Sequence, residues 1–314
     1  MKLGVVILTY MNYQDTFDCV NKLIEPMASY HSNSLILYIA LIDNASPNEA
    51  GDHLFAYKNN LQTPSWVNVE FFRTSLNQGY GYGNNIGLEY LFNKQNCDVV
   101  FVMNNDIIVL NLDMNKLLFE LTNKKGDVWG ARIINRKSNE IEFYGGAVFS
   151  YSLFSSRRLL TIDDLAQNIE DEGLYISGAF IGFSRATYKI VGPFCEDFFL
   201  YFEEIEWFFR AHRKFDRKLN IVILEGIVLS HQIGGSTGNA EFGFQKSNIA
   251  EYYSARSRII FARKVAPYYL LNAIFFNLVL AIHRLMKGYF RNVIVILIAT
   301  YRGILGEKGY KNLA

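Results

Sequence analysis

The chain is expected to fold as an α/β protein: a Rossmann-like, mostly parallel central sheet flanked by helices, with apolar and amphipathic helices added at the C-terminus. Three observations lead there. Short continuous apolar runs recur at 3–8, 35–42, 67–72 and 99–103, the pattern of strands buried on both faces. Each run is followed by a helix-length stretch, which demands parallel strands joined by right-handed crossovers. Three of the runs stop abruptly on polar side chains, at Thr9, at Asp43 and at Asn104-Asn105-Asp106. In open α/β sheets, ligands gather beyond the carboxyl ends of the strands, so these ends converge on a nucleotide-type site.

Composition permits this architecture. With 314 residues, half of them hydrophobic and 15% aromatic, the chain can bury a large core and global disorder is excluded. The net charge of +1 is unevenly spread: 256–314 holds ten Lys or Arg against Glu307 alone, a net +9, leaving 21 basic and 29 acidic residues, or −8, in the body. A basic, aromatic tail on an acidic body points to a membrane surface or another polyanion, with no nucleic acid expected as partner. Cys19, Cys97 and Cys195 are too widely spaced for a disulfide framework or a metal knot, which suits a reducing cytoplasm. The N-terminus turns polar too quickly for a signal peptide and reads as the first strand.

The first strand ends at Thr9-Tyr10-Met11-Asn12, and a helix follows with Asp15 or Thr16 as cap and Phe17, Val20, Leu23 and Ile24 on one face. The second ends on Asp43-Asn44-Ala45-Ser46-Pro47, a turn opening another helix. The third leads into a loop with glycines at 79, 81, 83 and 87, which opens a helix through Phe92. That spacing is not a dinucleotide fingerprint and has no Walker lysine. It fits a close backbone approach to a ligand or a tight helix start. The fourth strand ends at Asn104-Asn105-Asp106. A lone carboxylate beside two amides there can hold a hard cation bridging phosphate oxygens, although a plain strand-to-turn junction uses the same residues.

Beyond Asp106 a strand is expected at 107–110, a helix at 114–122, a strand at 128–134 and an irregular antiparallel part over 141–160. One strand covers 175–183 and includes the small residues Ser177-Gly178-Ala179, followed by a short helix closed by Gly192-Pro193. A helix starting near Glu203 sets Glu206 and Arg210 four apart as a structural pair. Glu204 has Trp207 and Phe208 at those spacings instead. A carboxylate among aromatics is desolvated, its pKa rises and it becomes a better base; a solvated helix start is the plain alternative, and Glu203 is its rival. Strands at 221–224 and 226–229 end at His231, which can share a divalent ion with a carboxylate.

From Tyr252 the composition changes. Arg256, Arg258, Arg263 and Lys264 precede eighteen uncharged residues, 265–282, interrupted by Pro267, Asn272 and Asn277; a second apolar run, 293–301, is too short to span a bilayer. Cationic flanks with aromatics suit helices lying in the interface of an anionic membrane. The soluble alternative for the same helices is a homodimer.

Together these residues resemble family 2 glycosyltransferases of the GT-A fold, nearest the bacterial rhamnosyltransferase-like branch. The resemblance runs from about residue 3 to 261. It rests on Val-Val-Ile-Leu-Thr-Tyr at 5–10, Ile-Asp-Asn-Ala-Ser at 42–46, the glycine-rich loop at 77–87 and Met-Asn-Asn-Asp at 103–106. Ser-Gly-Ala at 177–179, Phe-Leu-Tyr-Phe-Glu-Glu-Ile-Glu at 199–206 and His-Gln-Ile-Gly-Gly-Ser at 231–236 complete it. It implies a glycosyltransferase domain over 1–255, with a nucleotide-binding half (1–110) and an acceptor and catalytic half (111–255), and membrane-associating helices over 256–314. Thr9, Tyr10 and Asp43 would hold the nucleoside, and Asn77 and Gly79 would lie along the nucleotide. Asn104 would supply neutral hydrogen bonds, Asp106 would bind Mg²⁺ or Mn²⁺ with His231 beside it, and Glu204 would be the general base. The donor would be a UDP- or dTDP-sugar and the acceptor a lipid-linked glycan at the cytoplasmic face of the inner membrane. A non-catalytic nucleotide-sugar- or glycan-binding subunit is the alternative. Three departures from the family pattern stand out: Asn104 replaces an acid, Glu204 stands where Asp is commoner, and Met11 where Asn is usual.

Overall fold

The computed structural model describes residues 1–28, 30, 35–231 and 247–310. The first half alternates β1 (Lys2–Thr9), α1 (Tyr13–Ile24), β2 (Ile36–Asp43), α2 (Ala50–Asn60), β3 (Val67–Arg73), α3 (Tyr80–Glu89) and β4 (Val99–Asn104). These strands pair in parallel in the order β3-β2-β1-β4. Val6, Ile7, Ile39 and Leu41 are wholly inaccessible, as expected for strands covered on both faces. The cap of α1 is Asn12, whose side chain accepts from the Asp15 amide, and not Asp15 or Thr16; Thr16 is buried instead.

Next come β5 (Ile107–Leu112), α4 (Met114–Asn123), β6 (Val128–Asn135), β7 (Ile141–Tyr144), β8 (Gly146–Ser150) and β9 (Ser155–Arg158). They are followed by α5 (Ile162–Asn168), β10 (Leu174–Ile176), β11 (Phe180–Ser184), α6 (Arg185–Val191), α7 (Glu203–Lys214) and β12 (Ile221–His231). The sheet continues β4-β11-β6-β12-β5, with β7 beside β6. In this half β11 runs antiparallel to both its neighbours and β5 antiparallel to β12, while β6 and β12 are parallel. The sheet is therefore parallel in its first half and mixed in its second. The reason is local: the two residues between β4 and β5 are too few for a parallel crossover, so β5 leaves β4 and joins β12.

Two boundaries differ from expectation. The single strand expected at 175–183 is two strands in different sheets, because β10 pairs with β8 in a small sheet, order β10-β8-β9, whereas β11 joins the main one. Ser177-Gly178-Ala179 makes the crossing. Conversely, the runs at 221–224 and 226–229 form one strand with a register shift near Gly226. There the Glu120 carboxylate accepts from the Glu225 and Gly226 amides, each at 3.0 Å.

The chain ends in α8 (Asn248–Val265), α9 (Leu270–Met286) and α10 (Phe290–Leu305). The division drawn at 255 falls inside α8, which is buried on nearly all sides; Phe261 packs edge-on against Phe149 and Phe154 of the body. Pro267 breaks the expected apolar run, and Asn277 is turned inward, bonded to Arg258, Thr300 and the Ala255 carbonyl. The expected cationic flank is likewise partly internal. Arg256, Arg258 and Arg284 are buried, the first over the Tyr253 ring at 4.9 Å, the second over Phe276 at 4.4 Å, and the third paired with Glu251.

The glycines of α3 are a packing device. A Cβ on Gly83 would lie 2.4 Å from Leu8 Cδ1, and one on Gly87 would lie 2.5 Å from Val6 Cγ1. One turn apart, they let the helix sit directly on β1. Gly87→Ala should therefore destabilise the fold by about 1–3 kcal/mol through overpacking, read as a lower midpoint in chemical denaturation. An unchanged midpoint would contradict this packing.

Candidate active site

The turn after β4 is pinned from below. Asn105 Nδ2 donates to the Asn12 carbonyl (3.0 Å) and to Thr16 Oγ1 (3.1 Å), and Thr16 Oγ1 meets Thr9 Oγ1 at 2.7 Å. Asn105 is thus structural. The Thr9 side chain is committed to the core, so it offers a ligand no free hydroxyl. With its neighbour tied down, Asp106 is fixed at the end of the sheet.

The register of β12 against β5 places His231 opposite Ile107, and this brings His231 to Asp106. Its Nε2 lies 3.5 Å from Asp106 Oδ1, while its Nδ1 lies 3.2 Å from Glu142 Oε2 on β7. Burial alone would lower the imidazole pKa; the two carboxylates overcome it and raise the value to about 9. Asp106 Oδ1 is buried with no hydrogen-bond partner, a costly state for a carboxylate oxygen. A divalent cation fits between this oxygen and the imidazole by taking the place of the Nε2 proton, since both are ligands of hard or borderline ions once the ring is neutral. Among the described residues no three His, Cys, Asp or Glu form a ready ligand set, so a cation there would need further ligands from whatever it accompanies. The motif that continues from His231 through 232–236 lies outside the described residues.

The second centre is the start of α7. The Glu204 carboxyl lies beside Gly178: a Cβ there would be in ordinary contact with its Cδ at 3.5 Å and its oxygens at 3.6 and 3.8 Å. Glu203 turns the other way, with its Cγ 3.7 Å from the Cβ position of Gly81 and its Oε1 buried and unpartnered. Burial pushes both carboxyls up, Glu203 well up because the Glu204 charge adds to the effect. The two titrate as a pair, and two adjacent charges are disfavoured. Glu206 pairs with Arg210 at 2.7 Å, as its spacing predicts.

Tyr80 connects the two centres. Its buried hydroxyl donates to the Gly178 carbonyl at 2.7 Å. Burial first, then the charges of Glu204, Glu203 and Asp106, drive its pKa well above the usual value. Tyr175, bonded to Ser156 Oγ at 2.9 Å, feels Glu204 as well. Both tyrosines and Glu142 escaped the sequence reading. The usable signal for Glu142 was its place in Ile141-Glu142-Phe143-Tyr144, where strand alternation turns one acid inward.

The residues expected along a nucleotide are largely occupied by one another. Asp43 is wholly buried, its Oδ2 3.0 Å from Arg73 Nε and its Oδ1 accepting from the Ser46 amide. Asn77 Oδ1 accepts from the Gly79 amide and from Asn44, each at 3.0 Å. Gly79 (φ +103°) lies against Phe199, whose carbonyl oxygen would be 2.3 Å from a Cβ. Tyr10 and Asn104 are half-buried beside the cleft.

No family model matches the chain. The hexosyltransferase Agl10 of low-salt glycan biosynthesis in Haloferax volcanii is 24% identical over 215 residues, 68% of this chain and 62% of its own length. The chain thus spans less than two thirds of that relative. Among solved structures, GalNAc-T7 with UDP, GalNAc and Mn²⁺ superposes with a TM-score of 0.59 at 15% identity, over 86% of this chain and 49% of that one. The mannosyltransferase PcManGT from Pyrobaculum calidifontis with GDP-Man and Mn²⁺ gives 0.53 at 10% identity, over 98% and 88% of the two chains. S. aureus TarS 1–349 with UDP-GlcNAc gives 0.53 at 14%, over 98% and 93%. The fold is the GT-A glycosyltransferase fold.

A carboxyl whose folded-state pKa is raised favours folding where it is protonated; that contribution is whole below its ordinary 4.5 and is lost as pH rises through the folded value. Glu203→Gln removes the group. Its stability relative to wild type should therefore climb with pH above 4.5, by at most about 1.4 kcal/mol per pH unit. Urea denaturation at a series of pH values checks this, and a pH-independent difference would refute it.

Proposed function

We propose that the chain is an inverting glycosyltransferase of family 2, of the rhamnosyltransferase-like branch. It moves a sugar, rhamnose in this reading, from a nucleoside diphosphate sugar to a hydroxyl of a growing, lipid-linked cell-surface polysaccharide. The observation that carries the proposal is the pairing, across Tyr80, of a desolvated carboxylate with an Asp–His centre. Displacement at an anomeric carbon needs a base for the acceptor and charge stabilisation for the leaving diphosphate. The relative's role as a glycan-building hexosyltransferase, and the nucleotide sugars bound by the neighbours, support the same reading.

In this mechanism Glu204 takes the proton from the acceptor hydroxyl as its oxygen attacks, opposite the departing diphosphate, so the configuration inverts. A positioned base contributes about 10²–10⁴-fold. Glu203, neutral beside it, keeps the site from carrying two adjacent charges. Mg²⁺ or Mn²⁺, held by Asp106 and His231, would supply Lewis-acid stabilisation of the diphosphate. Asp43, Tyr10, Asn77, Gly79 and Asn104 form the nucleotide side, Thr9 contributing only through its main chain.

In the same proposal the enzyme works on the cytoplasmic face of the membrane, and the tail supports that reading. Pro267–Met286 is long and apolar enough to cross a bilayer, but Asn277 and Arg284 tie it to α8 and so to the body. Leu271, Phe275, Ile282 and Met286 of α9 and Phe290 and Ile294 of α10 are exposed, with Lys287 and Arg291 at the tip of the hairpin. From 252 to 306 there is no acid. Exposed apolar side chains with cations beside them suit an anionic interface, which supports the proposal.

A thermal-shift panel of nucleoside diphosphate sugars with Mn²⁺ or Mg²⁺ should single out one donor, the shift following RT ln(1 + [L]/Kd). No shift with any donor would end the transferase reading. In a transfer assay, Glu204→Gln should lose about 10²–10⁴-fold in turnover while keeping donor binding, Glu203→Gln should stay active, and Asp106→Asn should weaken metal-dependent donor binding. Loss on Glu203→Gln with an active Glu204→Gln would reverse the assignment. Vesicles containing anionic lipid should co-sediment the wild type and release K287E/R291E; equal binding to neutral vesicles would refute the electrostatic part.

A further inference from the structure

Glu142 has no role in the chemistry described so far, yet it is nearly the most buried carboxylate of the cleft, with 3% of its side chain exposed. Both its oxygens are engaged: Oε2 at 3.2 Å from His231 Nδ1, and Oε1 at 3.7 Å from Arg158 Nη1. Arg158 in turn lies over the Phe143 ring at 4.9 Å, which fixes it in place. We propose that Glu142 is a positioning residue for the cation centre: it holds Nδ1 of His231 and so presents Nε2, on the far side of the ring, to a divalent ion shared with Asp106. This rests on the metal assignment of the proposed function.

The argument is one of geometry and valence. An imidazole has two nitrogens, and a hydrogen bond from one settles which tautomer is present and where the other points. Here a carboxylate takes Nδ1, and Asp106 Oδ1, which makes no hydrogen bond, lies 3.5 Å from Nε2. Among the described residues the acids and histidines do not form a three-ligand set, so Glu142 stands behind the ring and not as a third ligand. Carboxylates in that position orient the ring, raise its basicity and typically alter metal affinity 10–100-fold when removed. The plain alternative, a strand-to-strand ion pair between Glu142 and Arg158, predicts no effect on cation binding.

The test is Mn²⁺ affinity of the full chain, measured from the free-ion EPR signal without any donor, with thermal melts to confirm folding. Glu142→Gln should weaken Mn²⁺ about 10–100-fold, and Arg158→Leu, which breaks only the ion pair, should leave it unchanged. In a His231→Ala background Glu142→Gln should change nothing further, because no ring is left to hold. If His231→Ala weakens Mn²⁺ and Glu142→Gln does not, or if the two losses add, this inference fails while the metal assignment stands. A wild-type chain that binds no Mn²⁺ overturns both, and the transfer assay then judges the catalytic reading separately.

Discussion

The backbone of Gly79 touches the backbone of Phe199, and both halves of the cleft are placed by that contact. The Phe199 carbonyl accepts from the Tyr80 amide at 2.9 Å, and the Gly79 carbonyl accepts from Asn44 at 3.1 Å. So the loop after β3 and the segment before α7 are one unit. From the other side α8 holds the same segment: Phe199 stacks on Tyr253 at 4.5 Å and Ser257 Oγ donates to the Leu200 carbonyl at 2.8 Å. Between these clamps Tyr201 and Phe202 adopt φ of 70° and 75°, a left-handed backbone costing about 1–3 kcal/mol per residue. The buried rings of Phe199 and Phe202 offset that cost, and the strained pair turns the chain so that Glu203 and Glu204 open α7 facing opposite ways.

The two charged centres are built on contrary principles. At α7 two carboxyls are buried close together, and burial with mutual repulsion raises both. At the sheet end, two carboxylates flank an imidazole and raise it instead. Tyr80 feels both centres, and its bond to the Gly178 carbonyl holds it beside Glu204.

The C-terminal helices show how little a charge count says about a surface. Arg256, Arg258 and Arg284 add to the positive total of the tail but spend it inside, on aromatic faces, an amide and Glu251. Burying guanidinium groups is costly without such partners, and here it ties α8, α9 and α10 to each other. The exposed basic residues of the tail include Arg263 and Lys264 at the end of α8 and Lys287 and Arg291 around the turn between α9 and α10.

The strand runs, their polar ends and the acid-rich aromatic segment at 203–210 were legible in the sequence because each is local: burial on two faces demands continuous apolar residues, and a strand that stops on Asp106 or Asp43 advertises itself. The Glu206–Arg210 pair was legible for the same reason, being a matter of helical spacing. The roles of the glycines, Thr9, Asn105 and Asp43 were not, because their partners lie on other elements. Gly83 is small for Leu8, Gly79 for Phe199, and Thr9 is polar for Thr16. Nor does any spacing reveal that His231 faces Asp106 with Glu142 behind it, since 89 residues and the four strands β8 to β11 separate Glu142 from His231 along the chain. Local chemistry named the candidates. Which of them meet, and which are spent on holding the fold, depends on strand register and on where the backbone can approach itself closely, and those are properties of the folded chain.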